Sequence, residues 1–208
     1  YNIKTNANRV IEGDLFLAHN ECDLQIAINN GAFAIIYDFE TTIFDKEIAW
    51  IKVDSTKSAL EKLFRFKLAS LDLKVFYCDN ITYNMLELFK NSNKNIKLIS
   101  SELHDSTKII ENVSVEDILF CSNAKLLNRI YPNYCNFGNF DGDGYELKNL
   151  IEHSLFETSF SYNDYYFSKL KISSLYIKNF LDVYNFLDQD LDLTRLKKFD
   201  NFKPIFVD

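Results

Sequence analysis

Short apolar runs alternate with amphipathic stretches along the first part of the chain. Residues 32–37 (AFAIIY) and 48–53 (IAWIKV) are apolar at nearly every position, which is typical of strands buried on both faces of a parallel sheet. Residues 15–18 predict an earlier strand. Residues 24–30 and a stretch capped by Asp54 or Ser55 have apolar positions at helical spacing. The order strand, helix, strand, strand, helix predicts an α/β layer with a mostly parallel sheet.

A second unit is predicted to begin after a boundary near Ser70–Asp72, which divides the chain into residues 1–70 and 71–208. Its predicted strands cover residues 73–77, 96–99 and 117–121. Its predicted helices cover residues 81–90, 173–187 and 191–199, and residues 131–147 are predicted to be a loop. An aromatic stretch at 156–167 is compatible both with an interface and with core or sheet packing.

Composition narrows the classes of function. The chain has 208 residues and a formal net charge of −7. Its scattered lysines and arginines form no basic stripe, so we expect no nucleic-acid partner. The five glycines fit neither a dinucleotide fingerprint nor a P-loop. No apolar run approaches the ~20 residues that cross a bilayer, and no signal-peptide pattern is present. We therefore expect a cytoplasmic protein that does not enter a membrane.

Metal and cofactor chemistry have weak support in the sequence. Four widely spaced cysteines and three histidines indicate reduced thiols rather than a zinc site, and we expect no cofactor. Asn139, Asp141 and Asp143 imitate the first half of a calcium loop, but the twelfth position is Leu150, so a polar turn is the simpler interpretation.

Polar side chains also follow the first predicted strand, and four of them carry acid or imidazole groups: Asp14, His19, Glu21 and Asp23. Open α/β sheets bind ligands at the carboxyl ends of their strands. These residues therefore predict either a small polar pocket or a solvated loop, and the solvated loop is the simpler reading.

Four segments follow one another in a familiar order: VIEGDLFLA, NNGAFAIIYD, IAWIKVDSTKSALEKLF and LDLKVFY. This succession resembles the N-terminal domain and domain junction of the Mur ligases, and most closely the D-alanyl-D-alanine-adding member, MurF. The family comprises ATP-dependent enzymes that add amino acids to UDP-N-acetylmuramoyl precursors of peptidoglycan. The resemblance is good over residues 5–90 and fainter over 91–208. The matching positions are Val10, Gly13, Asp14, Leu15, Phe16, Gly31, Ala32, Ala34, Val53, Asp54, Thr56, Ala59, Leu60 and Leu63.

Two ligand-binding segments of the family are altered in this chain. The family segment T-D-S-R, which helps to hold the UDP moiety, reads T-N-A-N at residues 5–8, with Arg9 one place out of register. The ATP loop T-G-T/S-x-G-K-T-T is replaced at residues 77–84 by Y-C-D-N-I-T-Y-N, which has no glycine or lysine. A P-loop depends on both residue types to surround and neutralise phosphate. Asp79, with Asn80 and Thr82 beside it, stands where the phosphates would approach and would repel them.

The resemblance implies a Mur-ligase-like N-terminal α/β domain followed by a reduced, P-loop-like α/β domain without the P-loop. We predict that the protein has lost ATP-dependent ligation and is a non-catalytic binding or scaffold module in cell-wall synthesis. Its expected partner is a UDP-sugar-peptide precursor or a cell-wall synthesis protein. The candidate ligand-binding residues are Asn8, Arg9, Asp14 and His19. Two alternatives stay open, namely a working or split MurF-like ligase and a protein–protein adaptor with no small ligand.

Overall fold

The computed structural model describes residues 2–90, 95–138, 145–188 and 191–198. The strands are β1 (Ile3–Lys4), β2 (Leu15–Leu17), β3 (Ala34–Tyr37), β4 (Ala49–Lys52), β5 (Lys74–Tyr77), β6 (Ile96–Ile99), β7 (Ile118–Cys121), β8 (Cys135–Asn136), β9 (Leu147–Ser154), β10 (Glu157–Tyr162) and β11 (Tyr165–Leu170). The helices are α1 (Leu24–Asn29), α2 (Thr56–Ala69), α3 (Asn80–Phe89), α4 (Leu103–Glu111), α5 (Ala124–Ile130) and α6 (Ile177–Phe186). The predicted α/β class is confirmed.

The chain divides into two compact units. The first consists of Tyr1–Val75, Ile99–Leu119 and Asn123–Tyr134. The second consists of Phe76–Leu98, Phe120–Ser122 and Cys135–Asp208. The two family-like domains expected at residues 1–70 and 71–208 stay a prediction.

The first unit contains a four-stranded sheet with the order β1–β2–β3–β4, in which every neighbouring pair is parallel. Its core cluster includes Phe16, Leu24 and Ile35, none of which exposes any surface. Between β2 and β3, α1 ends before Gly31, whose φ of +88° lies in the left-handed region that glycine adopts without a steric penalty. This is the helix end that the sequence predicted.

β3 and β4 differ in burial although both were predicted to be buried on both faces. All four residues of β3 are buried, whereas three of the four in β4 are exposed and Trp50 is half-buried. The strand predicted at residues 48–53 is therefore confirmed, but its predicted burial on both faces was wrong. The physical reason is position, because β4 is the outer strand and has a neighbour on one side only.

Three helices pack together in the first unit, with α2 in contact with both α4 and α5. The Ser55 Oγ accepts a hydrogen bond from the Ser58 N–H at 3.3 Å and so caps α2, as predicted. The Arg129 guanidinium donates to the Glu61 carboxylate at 2.8 Å and joins α5 to α2. Neither α4 nor α5 was predicted from the sequence.

A second four-stranded sheet has the order β6–β7–β5–β8. β5, β6 and β7 coincide closely with predicted strands. β8 lies in the segment predicted to be a loop, and it pairs with β5 in parallel, with Phe76 opposite Cys135.

The second unit also contains an antiparallel sheet with the order β11–β10–β9, which the sequence did not predict. Phe160 and Phe167 from this sheet contact Phe180 of α6. The aromatic stretch at 156–167 is thus divided, since Phe160 and Phe167 are buried while Tyr165 and Tyr166 are exposed. α6 also packs against α3.

Candidate functional site

A group of charged side chains lies where β1 and β2 meet α4. The Lys4 Nζ is 3.9 Å from the Asp14 Oδ2 and 3.8 Å from the Glu111 Oε2. Asp14 is buried, and its Oδ2 accepts the Ile11 N–H at 3.1 Å, which closes the turn that contains Gly13. Burial is the main reason why the pKa of Glu111 is raised. Asp14 therefore stabilises the turn, and its carboxylate lies beside the ammonium of Lys4.

An open cavity of about 660 Å³ lies beside this group, entirely within the first unit. Residues from the end of β1 and the following turn form one wall, and residues of α4 form the other. Arg9 and Lys108 contribute cations from opposite walls, and neither forms an ion pair with any described residue. The lining residues are Asn2, Ile3, Lys4, Thr5, Asn6, Arg9, His104, Asp105, Thr107, Lys108, Glu111 and Asn112.

The turn that carries Asn8 and Arg9 is fixed by two asparagines. The Asn6 Oδ1 accepts the Asn8 N–H at 3.0 Å and caps the short 3-10 helix Ala7–Arg9. The Asn30 Nδ2 donates to the Ala7 carbonyl at 2.9 Å and ties this helix to the end of α1. Asn8 is exposed in the same turn. The segment compared with the family's T-D-S-R therefore adjoins the cavity.

Two histidines meet at the border of this cavity. The rings of His19 and His104 are perpendicular, with their centroids 4.3 Å apart. The Nδ1 of His104 is buried and has no hydrogen-bond partner among the described residues. Burial, followed by repulsion from His19, lowers the pKa of His104. His19 is exposed and adjoins the cavity through His104.

The remaining acidic side chains near the strand ends are engaged in local structure. The Asp38 carboxylate accepts the Thr56 N–H at 2.8 Å, and this hydrogen bond is the main reason why the pKa of Asp38 is lowered. Glu21 accepts from the Thr41 hydroxyl at 3.0 Å, and Asp23 accepts from the Asn20 amide at 3.0 Å. Of the predicted candidates, only Arg9 lines the cavity itself.

The start of α3 lies in the segment compared with the family's ATP loop. The Asp79 Oδ1 accepts the Thr82 N–H at 2.9 Å and caps the helix. The Asp79 Oδ2 accepts from the Thr82 hydroxyl at 3.1 Å and from the Asn179 amide at 2.8 Å. Asn80 is the first residue of the helix. A carboxylate of the chain itself therefore bonds to the backbone N–H that a bound anion would use.

A second carboxylate lies nearby on α6. Asp182 is buried, accepts a hydrogen bond from the Tyr145 hydroxyl, and would lie 2.6 Å from a Cβ placed on Gly138. Burial, and to a smaller extent repulsion from Asp79, raises the pKa of Asp182. The hydrogen bond from Tyr145 and, to a smaller extent, the charge of Lys178 partly offset this rise. The region at the start of α3 thus contains two acidic groups.

The cysteine in this region is unsuited to nucleophilic chemistry. Burial and the neighbouring Asp79 raise the pKa of Cys78 to about 12, so the thiolate is scarce at neutral pH. Across the described ranges, no three or more His, Cys, Asp or Glu side chains are arranged to hold a metal ion. The weak metal candidates Asn139, Asp141 and Asp143 lie outside the described residues. None of the helices that the structure describes is long and apolar enough to cross a bilayer.

Solved Mur ligases share this architecture. The chain is similar to the MurF ligase of Thermotoga maritima, solved in complex with ADP, with a TM-score of 0.58 and 18% identity over 94% of this chain. It is also similar to the UDP-N-acetylmuramoylalanyl-D-glutamyl-2,6-diaminopimelate–D-alanyl-D-alanyl ligase of Acinetobacter baumannii, with a TM-score of 0.55 and 12% identity over 98% of this chain. The chain spans 65% and 64% of the length of these two proteins.

Comparisons at the level of sequence gave no match. No protein-family model and no curated protein matches the chain. The structural similarity at this low identity establishes the fold, which is that of a Mur ligase, as the resemblance of the four segments predicted.

Proposed function

We propose that this protein is a Mur-ligase-like module that has lost ATP-dependent ligation and binds or organises components of peptidoglycan-precursor synthesis. We further propose that it works in the cytoplasm. The observation that carries the proposal is the occupied start of α3, where Asp79 accepts hydrogen bonds from Thr82 and Asn179.

This arrangement supports a loss of nucleotide binding for two reasons. The N-terminus of a helix attracts phosphate through its unpaired N–H groups and partial positive charge, and Asp79 already uses both. In addition, residues 77–84 contain neither a glycine that would let the backbone wrap a phosphate nor a lysine that would neutralise it. Bringing a triphosphate close to Asp79 at ~4 Å would cost several kcal/mol at an effective dielectric of ~20.

The cavity of the first unit supports a retained binding role. Its volume of about 660 Å³ falls within the roughly 300–1,000 Å³ of ligand pockets. Arg9 and Lys108 offer two cations to an anionic group such as the diphosphate of a UDP-sugar-peptide precursor. In this proposal Asn8 and His19 border the ligand, and Asp14 holds the turn and Lys4 in place.

Calorimetry with ATP and magnesium tests the loss of nucleotide binding. We expect no measurable binding at millimolar ATP, and Asp79→Asn should not restore it because residues 77–84 still contain neither a glycine nor a lysine. A micromolar affinity in the unaltered protein would refute the proposal.

A ligation assay separates the proposal from the alternative of a working or split ligase. The protein is incubated with ATP, a UDP-muramoyl peptide and D-alanyl-D-alanine. We expect phosphate release at background level, whereas release above background that scales with protein concentration would favour an enzyme.

Binding of a UDP-muramoyl peptide to the cavity is tested by calorimetry without ATP. We expect Arg9→Ala to weaken binding at least tenfold, because it removes one of the two unpaired cations. Arg65→Ala is the matched control, since Arg65 is exposed on α2 and does not line the cavity. Equal affinities of the two variants would place the ligand elsewhere, and no binding by the unaltered protein would favour the adaptor without a small ligand.

A further inference from the structure

The outer edge of β4 presents backbone groups that have no partner among the described residues. On the inner edge, Ala49 donates to the Phe33 carbonyl at 3.3 Å and Val53 donates to the Tyr37 carbonyl at 2.9 Å. Because consecutive residues of a strand direct their backbone groups to opposite edges, those of Trp50 and Lys52 point away from the sheet. Four polar groups therefore lie along an edge that ends the sheet.

This edge has only some of the features that keep sheet edges apart. Natural proteins protect an edge with a short strand, a lysine, a proline, a bulge, inward-pointing charges or a covering segment, and β4 has the first two. β4 has an uninterrupted register with β3 and contains no proline. Its one charged side chain, Lys52, is paired with Glu40.

Apolar side chains are exposed around the same edge. Ile51 itself is 44% exposed, and Phe33 beside Ala49 is 54% exposed. Phe44, which is 55% exposed, has its ring 6.5 Å from that of Trp50. Because consecutive residues of a strand point to opposite faces, Ile51 and Trp50 lie on different faces, and apolar side chains are therefore exposed on both faces of this edge strand.

We propose that β4 pairs antiparallel with β4 of a second copy of this chain and extends one sheet through both copies. Pairing through hydrogen bonds requires that residues whose backbone groups point away from the sheet face residues of the same kind in the second copy. Three registers of β4 against β4 meet this requirement. Lys52 opposite Lys52 brings like charges together, and Trp50 opposite Trp50 leaves Lys52 without an outward partner in β4. Only Trp50 opposite Lys52 pairs all the outward residues of both strands.

The side chains are compatible with this register. The two-fold axis passes between the Ile51 residues, which face each other as a pair without mutual hydrogen bonds and bury their exposed surface. On the other face, each Trp50 ring lies beside the Lys52 ammonium of the second copy, an arrangement that favours a cation–π contact. The interface is symmetric, so each contact occurs twice. Because the strand is short, we expect association at tens of micromolar protein rather than at nanomolar concentrations.

Sedimentation equilibrium tests the pairing. We expect a mass that approaches twice the 24.4 kDa of one chain as the concentration rises into the tens of micromolar. Lys52→Pro removes an outward N–H that the monomer does not use and should abolish the dimer. Lys52→Ala keeps that N–H and should weaken the dimer less than tenfold. A monomer throughout this range, or a dimer that persists in Lys52→Pro, would overturn the proposal.

Disulfide trapping tests the register. In a background in which the exposed Cys22 and Cys135 are replaced by serine, Ile51→Cys should form an interchain disulfide, because facing residues of this kind have Cα atoms about 4.5 Å apart. Ala49→Cys, displaced by two residues from the axis, should not. Trapping at position 49 and not at 51 would contradict the register. Phe66→Glu, on the exposed face of α2, serves as a control for adding charge at an exposed apolar position and should leave the dimer unchanged.

Discussion

Replacing Asp79 with alanine distinguishes a structural carboxylate from one that is poised for a ligand. As a structural cap, Asp79 satisfies the Thr82 N–H and holds Asn179 of α6 against the start of α3. Its loss should therefore destabilise the second unit. A carboxylate held at a ligand site against unfavourable interactions would behave in the opposite way, and its removal would leave stability unchanged or raise it.

The expected size of the effect follows from the contacts. Loss of an N-cap side chain costs about 1 kcal/mol. The hydrogen bond from Asn179 adds about 0.5 kcal/mol, the low end of the usual range, because Asp79 is exposed and Asn179 retains Thr82 Oγ1 at 2.9 Å. The sum of about 1.5 kcal/mol corresponds to a fall in Tm of about 3–6 °C for a chain of this size.

Thermal unfolding followed by circular dichroism measures this change. Asp79→Asn is the matched variant, because its amide oxygen can still accept the Thr82 N–H, and we expect less than half the loss seen for Asp79→Ala. A Tm for Asp79→Ala equal to or above that of the unaltered protein would refute the structural interpretation and with it the main support for lost nucleotide binding.

Three further predictions concern the second unit. Gly138→Ala should lower stability by about 1–3 kcal/mol more than Gly13→Ala in urea unfolding, because both glycines have a positive φ but only the Cβ at 138 would meet Asp182. Because the pKa of Asp182 is raised in the folded state, its protonated carboxyl stabilises the fold at low pH, and this stabilisation declines as pH rises through that pKa. The Tm of Asp182→Asn relative to the unaltered protein should therefore be higher at pH 7 than at pH 4. With Ellman's reagent at pH 8, Cys78 should stay unreactive because its pKa is raised to about 12, and fast reaction should be confined to the two exposed thiols, Cys22 and Cys135.

Local sequence patterns predicted most of the strands and helices, but they did not predict which strands lie next to each other in the sheets. β3 and β4 have similar apolar runs, and a strand's sequence does not reveal whether it has a partner on one side or on both. α4 escaped prediction because two of its buried residues, Ser106 and Thr107, are polar and weaken the apolar periodicity. The β10–β11 hairpin carried a recognisable signal, since Asn163, with a φ of +51°, stands with Asp164 between aromatic residues.

The same limit applies to the candidate sites, because some of their residues are far apart in the chain and meet only in the fold. That Asp79 caps a helix could be read from its place before Asn80 and Thr82. Asn179 lies 100 residues away in the chain, and no local pattern joins it to Asp79. The α4 wall of the cavity was missed because α4 itself was missed, although the spacing of His104 and Lys108 by four residues would have placed them on one helix face.

The two edges of the first sheet differ in a way that limits how copies can be added. At β1, the outward N–H of Ile3 is bonded to the Glu111 carboxylate of α4, so this edge offers no donor to a further strand. Growth into a fibre requires two usable edges, one at each end of the sheet in every copy. With the donor of β1 engaged by Glu111, the proposed pairing through β4 would end after a single step. Replacement of Glu111 by alanine would open the second edge and create the conditions for fibrous aggregation.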